Sequence, residues 1–535
     1  MTVVLNDRFA WRSRALGRLT VHERGDAAAV AGIAQSVLTA ERPGLDHAVA
    51  ALRAADGHFA AIIEGPDFLL ACVDHCRSIP VFFAARAGAP VVSNDARTVK
   101  TNAGLDRIDT VSGTEAAMAG FVTGRNTLYE GLAQLQAGDL LWHDKRSGKT
   151  SVRQYYVYAP GPLNRAHEAG LIEQLGEVTD RAMNRVVDQA AGAPIWVPLS
   201  AGLDSRLILC KLVELGYDNL AAFSYGPAGN DEAKAARTAA RRLGVPWRFY
   251  PNRSRDMRRL YASDARAAYW AYSDGLCTLP NFQDFPTLHG LRERGELPDG
   301  VVIVNGQTGD FISGGHIPRA LYENAAPTLD DLFDAIVAKH YSLWQSLKTP
   351  DNLDRLRARV WENLGLRGDE RVSRDDVVAL YERWEYQERQ AKHIINGQRN
   401  YDFLGIPWAL PLWDRGLVEF WRTVPPRFKF GQRLYRRYLE SWDFGGLFKD
   451  FKPVVWQWPG AMKAVLPLFR LIRLTLGPEC RDRVLKSLLY FGMYRHQYAP
   501  FGYRYFLRHA QNLRNPVSVL SRRWLAEMGI SAGAG

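Results

Sequence analysis

Two short stretches set carboxylates among glycines and hydroxyls. Leu199-Ser200-Ala201-Gly202-Leu203-Asp204-Ser205 follows one apolar run, and Asn305-Gly306-Gln307-Thr308-Gly309-Asp310, continuing Phe311-Ile312-Ser313-Gly314-Gly315, follows another. In the first, the Ser200 and Ser205 hydroxyls can donate to phosphate oxygens, Gly202 lets backbone approach a phosphate, and Asp204 can hold Mg²⁺. A plain helix cap needs the same residue types. The second stretch adds Asp310. Two carboxylates at the ends of two strands of one sheet can share a cation that neutralises a pyrophosphate.

That chemistry requires a parallel sheet, whose ligands lie at the carboxyl ends of strands, where helix N-termini present free N–H groups. Leu171, Leu175, Val178, Ala182 and Val186 recur at helical spacing. The strand-like PIWVPLS then leads into the first loop, a helix is expected from Arg206 to Leu215, and LAAFSYG reads as a strand. A helix over Asp231–Leu243, the strand VPWRFYP and the apolar run Gly300–Asn305 complete the alternation of a parallel sheet covered on both faces. Upstream, from Phe59 to about Tyr156, short strands between turns (FAAIIEG, FLLACVD, IPVFFAA, PVVSND, GDLLWHD, QYYVYAP) have the rhythm of an antiparallel domain. Ala159–Arg165, APGPLNR, reads as the linker. Beyond about Leu321 the chain is helix-rich and aromatic.

The 535 residues are 47% hydrophobic, enough for two to four globular domains. The formal net charge of +11 admits an anionic partner, although arginines spread along the chain also read as a solvated basic face. Five cysteines without a CxxC pair exclude a disulfide scaffold and point to the cytoplasm, and no second pair or histidine cluster joins Cys72 and Cys76 to make a zinc set. The start has no uninterrupted apolar segment of the secretory kind, and no window of about 18 apolar residues occurs. The nearest approach, Ala461–Leu476 (AMKAVLPLFRLIRLTL), reads as an amphipathic helix facing the core or a partner, with weak contact to a membrane surface as the other option.

The two loops together resemble those of the asparagine synthetase and β-lactam synthetase family, ATP-dependent amide ligases whose loops read SGGxDS and GEGxDExxGG where this chain has SAGLDS and GQTGDFISGG. AFSYG followed by Asn230-Asp231-Glu232, and ALPLWDRGLVEFWRTVPPRFK (Ala409–Lys429), are similar to further segments of that synthetase domain. DGHFAAII, VDHCRSIPVFFAA and TLYEGLAQLQAGDLL resemble the family's glutaminase-type N-terminal domain. The likeness runs to about residue 440. It implies an N-terminal Ntn-type antiparallel sandwich over 1–160, an adenine-nucleotide α-hydrolase-like parallel α/β domain over 166–445, and a helical C-terminal elaboration over 446–535. It also implies ATP and Mg²⁺, with Asp204 and Asp310 on the metal, Ser200, Ala201, Gly202, Ser205 and Gly306 around the phosphates, and Leu199 and Ser224 at the adenosine.

Four departures shape the reaction expected. Glutamine-hydrolysing members carry a nucleophilic Cys at position 2, where this chain has Thr2, and the segments that bind glutamine are missing or shortened. An N-terminal Thr can act as a nucleophile, but the surroundings argue against it. Gln307 stands where relatives place a Glu or Tyr, and an amide cannot take the amine's proton; His316 and Tyr272 are other candidates for the base. The lysine that relatives place shortly after the segment matching Ala409–Lys429, to stabilise developing charge, has Lys429, Arg433 or Arg436 as its candidate counterpart, with a solvent-facing role as the alternative for all three. Ala201 replaces a loop glycine, at a cost of about 1 kcal/mol if the backbone there is left-handed. The reading is a ligase that activates a carboxylate as acyl-adenylate for attack by an amine, without glutaminase activity. Glutamine-dependent asparagine synthesis and a non-catalytic scaffold are the alternatives, and an enzyme acting on tRNA lacks the expected modules. The substrate is a small-molecule, peptide or sugar carboxylate, no nucleic-acid partner is expected, and no oligomeric state follows.

Overall fold

The computed structural model describes residues 2–41, 43–85, 89–368, 370–449, 451, 466–497, 503–509 and 511–531. The first part is built from β1 (Thr2–Val3), β2 (Arg12–Leu16), β3 (Leu19–Gly25), α1 (Ala27–Thr39), α2 (Leu45–Ala54), β4 (Phe59–Glu64) and β5 (Phe68–Val73). It continues with β6 (Phe82–Ala84), β7 (Val91–Ser93), α3 (Ala96–Ala103), α4 (Thr110–Ala119), β8 (Leu132–Gln134), β9 (Asp139–Asp144) and β10 (Thr150–Gln154). A six-stranded sheet, β10-β9-β5-β4-β3-β2, is antiparallel throughout, and a four-stranded sheet, β1-β7-β6-β8, is antiparallel except for the parallel β1–β7 pair.

Side-chain alternation explains the layering. Ala60, Ile62, Leu69 and Ala71 point toward Val81, Phe83 and Val92 between the sheets. Their neighbours Ala61, Ile63, Leu70 and Cys72 face Val30, Ile33 and Val37 of α1. Phe82, Ala84 and Val91 face Val99 and Ala103 of α3. The order is helix, sheet, sheet, helix.

The expected antiparallel region is extended and trimmed. It begins before Phe59, because β2 and β3 form a hairpin whose charged outward residues mask the inward Leu19 and Val21. QYYVYAP is not a strand beyond Gln154. The pairing segment is the more polar Thr150–Gln154, while Tyr155 and Tyr156 both donate from the backbone to Gly138 O and bury their rings in irregular chain.

The second part follows with α5 (Glu168–Ala190), β11 (Ile195–Pro198), α6 (Leu203–Glu214), β12 (Leu220–Gly226), α7 (Asp231–Arg242), β13 (Trp247–Pro251), β14 (Val302–Val304) and β15 (Trp408–Ala409). These five strands form one parallel sheet in the order β13-β12-β11-β14-β15. Strands β12 and β13 extend the sheet to one side of β11, whereas β14 and β15 extend it to the other. The strand order reverses between β11 and β14, and a crevice at the carboxyl ends of such a pair is where open α/β sheets bind ligands.

One hydrophobic core runs from the six-stranded sheet through Leu171, Leu175 and Ala182 of α5 to Ile195 and Val197 of β11. The end of the chain folds back on its beginning: Ser521 on helix Pro516–Glu527 donates to Ala116 O of α4 at 2.7 Å, and Trp524 is buried there. Helix Leu466–Gln497 is interrupted at Gly477. Residues 461–465 of the amphipathic stretch lie outside the described residues. Among the described residues no helix is long and apolar enough to cross a membrane.

Candidate active site

Because β11 and β14 pair directly, with Ile195 opposite Val302 and Trp196 opposite Ile303, the loops that leave them are neighbours. Their approach depends on two glycines. A Cβ on Gly309 would lie 2.4 Å from Asp204 Cγ, and one on Gly306 would lie 2.9 Å from Asp204 Cβ, closer than any real side chain tolerates. Thr308, between them, adopts φ 80°, a left-handed conformation costly for a β-branched residue. Its hydroxyl donates to Gln390 Oε1 at 3.1 Å, which helps hold the loop there.

The first loop is pre-folded by its own hydroxyls. Ser205 Oγ accepts from Ser200 N at 3.1 Å and lies 3.1 Å from Ser200 Oγ, which accepts from Gly202 N at 3.1 Å. Gly202 is the N-cap of α6 and supplies no side-chain cap, so the first turn opens toward the crevice. Its φ of −68° is ordinary, and Ala201 is not among the left-handed residues, so the alanine in this loop carries no backbone strain. At the end of β12, Ser224 Oγ donates to Leu199 O at 2.6 Å and accepts from Trp247 Nε1 at 3.0 Å, tying the two strand ends together.

The two aspartates differ in charge state. Burial, and next the charge of Asp310, push the Asp204 carboxyl up to about 7, opposed by a hydrogen bond from Tyr435 OH at 2.9 Å. The Asp310 side chain is 58% exposed, so its partial desolvation works only weakly against ionisation, and His316 outweighs it and holds that carboxyl below its usual range. His316 Nε2 lies 3.0 Å from Asp310 Oδ2, and its Nδ1 is hydrogen-bonded to the buried Glu385. Burial opposes protonation of this imidazole, yet the two carboxylates raise it to about 9, so it is a cation near neutral pH. Lys339 Nζ, 3.2 Å from Glu385, completes the row.

Gln307 does not stand free. Its Oε1 accepts from Gln398 Nε2 at 2.8 Å, Asn305 Nδ2 is 3.4 Å from Gln398 Oε1 and 3.3 Å from Tyr401 OH, and Tyr401 and Tyr225 both donate to Asp284. The cations after the Ala409–Lys429 segment are placed differently from one another. Lys429 is fully buried and ion-paired with Glu382, with its Nζ 3.4 Å from Tyr158 OH. Arg433 forks onto Glu168 at 3.2 and 3.3 Å on the surface, and Arg436 is exposed, 3.5 Å from Gln432 Oε1. Tyr272 packs its ring on Phe9 and Phe403.

The structure therefore brings Asp204, Ser200, Ser205, Gly306 and Asp310 to one sheet edge, with Gln307 and His316 beside them. Tyr435 and Glu385 join the site without having been singled out in the sequence. Both come from helices remote in the chain, Arg433–Trp442 and Arg374–Glu385, where no local spacing marks them.

Two glycine-rich loops with paired carboxylates thus meet where the strand order of the parallel sheet reverses. The family model for asparagine synthase matches residues 174–441, half of the chain, and the chain belongs to the asparagine synthase family. Among solved structures, matches include the glutamine phosphoribosylpyrophosphate amidotransferase of B. subtilis complexed with ADP and GMP, at 9% identity, 55% of this chain, 63% of that chain and a TM-score of 0.19. Another is an allosteric regulatory enzyme of purine biosynthesis, at 12% identity, 55% of each chain and a TM-score of 0.19. The chain spans less than two thirds of either. No curated protein matched.

Proposed function

We propose that the protein converts a carboxylate to its acyl-adenylate with release of pyrophosphate, then transfers the acyl group to an amine, leaving an amide and AMP. The observation that carries this reading is the juxtaposition of Asp204 and Asp310 across β11 and β14, permitted by Gly306 and Gly309, with burial and the charge of Asp310 both disfavouring an ionised Asp204. Two hard oxygen donors with excess negative charge fit a magnesium ion, which Asp204 and Asp310 would hold. Bound there, the ion would neutralise charge on the departing pyrophosphate.

In the first half-reaction a substrate carboxylate oxygen attacks the α-phosphorus, and the bond from that phosphorus to the oxygen bridging to the β-phosphate breaks. Backbone of Ser200, Ala201, Gly202 and Gly306 and the Ser205 hydroxyl line the phosphates, with Leu199 and Ser224 beside the adenosine. Tyr435 orients Asp204, and His316 keeps Asp310 ionised. In the second, the amine nitrogen attacks the acyl carbon, AMP leaves, and the amine proton goes to a base. Gln307 cannot take it as a carboxylate would; held by Gln398, it orients the acceptor instead. Of Lys429, Arg433 and Arg436, the cation proposed for the charge developing in that step is Arg436, beside Gln432, which reaches Ser313 of the second loop, because Lys429 is paired with Glu382 and Arg433 with Glu168.

The four-layered first part supports the reading of a glutaminase-type Ntn domain, in which the N–H of Thr2 is engaged as part of β1, donating to Pro90 O at 3.3 Å. The test is exchange of labelled pyrophosphate into ATP, screened over a panel of carboxylates. The account expects carboxylate-dependent exchange, AMP as the nucleotide product, and no glutamate release from glutamine. ADP with free phosphate would overturn the adenylation reading, and glutamate release coupled to ATP use would overturn the reading of a ligase without glutaminase activity.

A further inference from the structure

We propose that the helical segment Leu466–Leu476 docks the protein onto an anionic lipid surface. The segment is the first part of helix Leu466–Gln497, set off by Gly477 at φ 85° and by Pro478. Phe469 is buried and Ile472 half-buried, so one face packs on the body. Leu468, Leu471 and Leu474, spaced three apart on another face, are 49%, 55% and 83% exposed, and Leu476 is 66% exposed. Isolated exposed leucines are ordinary, whereas a clustered row of them marks an interaction surface.

The charge around the row selects the occupant. Arg470 and Arg473 are exposed within the same segment. Leu466–Pro478 carries no carboxylate, and the next one along the chain is Glu479. Helix Tyr503–His509, packed against Leu466–Gln497, exposes Arg504 and Arg508. A leucine face flanked by Arg470, Arg473, Arg504 and Arg508 matches the acyl and headgroup layers of a bilayer rich in anionic lipid. A second copy would bring arginine against arginine. The docked segment lies on the bilayer rather than through it, since no described helix can span. It is also close in sequence to the proposed active site. Phe451 stacks under Arg206 of α6, 4.5 Å from its ring centroid, and only residues 452–465 separate it from the docking helix.

The test is flotation of the full chain with vesicles of phosphatidylcholine alone and of phosphatidylcholine mixed with phosphatidylglycerol. The proposal expects at least about tenfold tighter binding to the anionic vesicles, lost in salt of about 1 M. Arg470→Gln with Arg473→Gln weakens it about 30-fold. Leu471→Glu with Leu474→Glu abolishes it while far-UV circular dichroism and pyrophosphate exchange stay unchanged. The proposal is overturned by equal or absent binding to the two vesicle types, by retention of binding in the leucine variant, or by a dimer in light scattering that the leucine variant dissociates.

Discussion

Asp74 and Asp204 are both carboxylates just past buried apolar strands, and the protein treats them oppositely. Asp74 accepts hydrogen bonds from Phe59 N at 2.9 Å, Cys76 N at 2.9 Å, Ser78 N at 3.1 Å, Cys76 Sγ at 3.3 Å and the Ser78 hydroxyl. His75 and Cys76, near enough to join it as metal ligands, are spoken for as well: His75 Nε2 lies 3.0 Å from Trp413 O, and burial pushes the Cys76 thiol well up. Among the described residues Asp204 has one side-chain donor, Tyr435, and the charge of Asp310 close by outweighs that of His316. A carboxylate whose oxygens are filled by donors of its own chain organises structure, whereas one short of donors beside a second carboxylate is available to a ligand.

The comparison breaks most sharply under exchange of the two residues' fates. Asp204→Asn or Asp310→Asn lowers carboxylate-dependent pyrophosphate exchange by roughly 10²–10³-fold with little change in urea unfolding. Asp74→Asn does the reverse, costing on the order of 3 kcal/mol of stability while exchange per folded molecule is kept. Gly309→Ala, which drives a methyl into Asp204, lowers exchange by about 10²-fold.

The pH dependence separates the regions further. The Asp204 carboxyl is raised in the folded chain, so its contribution to stability is present at low pH and is lost as pH rises through about 7. Thermal unfolding should therefore show Mg²⁺ stabilising the protein by a few degrees at pH about 8 and scarcely at all at pH about 5. The smallest effect belongs to Ala201→Gly, expected within about 0.5 kcal/mol in unfolding because the position is not left-handed.

Much of this was legible in the sequence, for physical reasons that differ by element. Strand β12 and helix α7 match the sequence reading almost to the residue, since a strand buried on both faces reads as a continuous apolar run and Asn230 caps a helix of visible periodicity. Hairpin β2–β3 was not legible, because half-exposed strands keep only the inward half of their signal. In the site, the loops were legible because turn glycines and carboxylates are local signals. Tyr435, Glu385 and the amide row from Gln307 through Gln398 were not, because their meeting depends on tertiary packing. The strain at Thr308 is likewise invisible in a residue name.

The central claim is that the loops after β11 and β14 form one site for a cation and the phosphates of ATP. Calorimetric titration of Mg²⁺·ATP into the wild-type chain, Asp204→Asn and Asp310→Asn tests it directly. The account predicts affinity at least about tenfold weaker in each variant, with all three chains equally weak toward ATP when the metal is chelated. Wild-type affinity for Mg²⁺·ATP in both variants would contradict it.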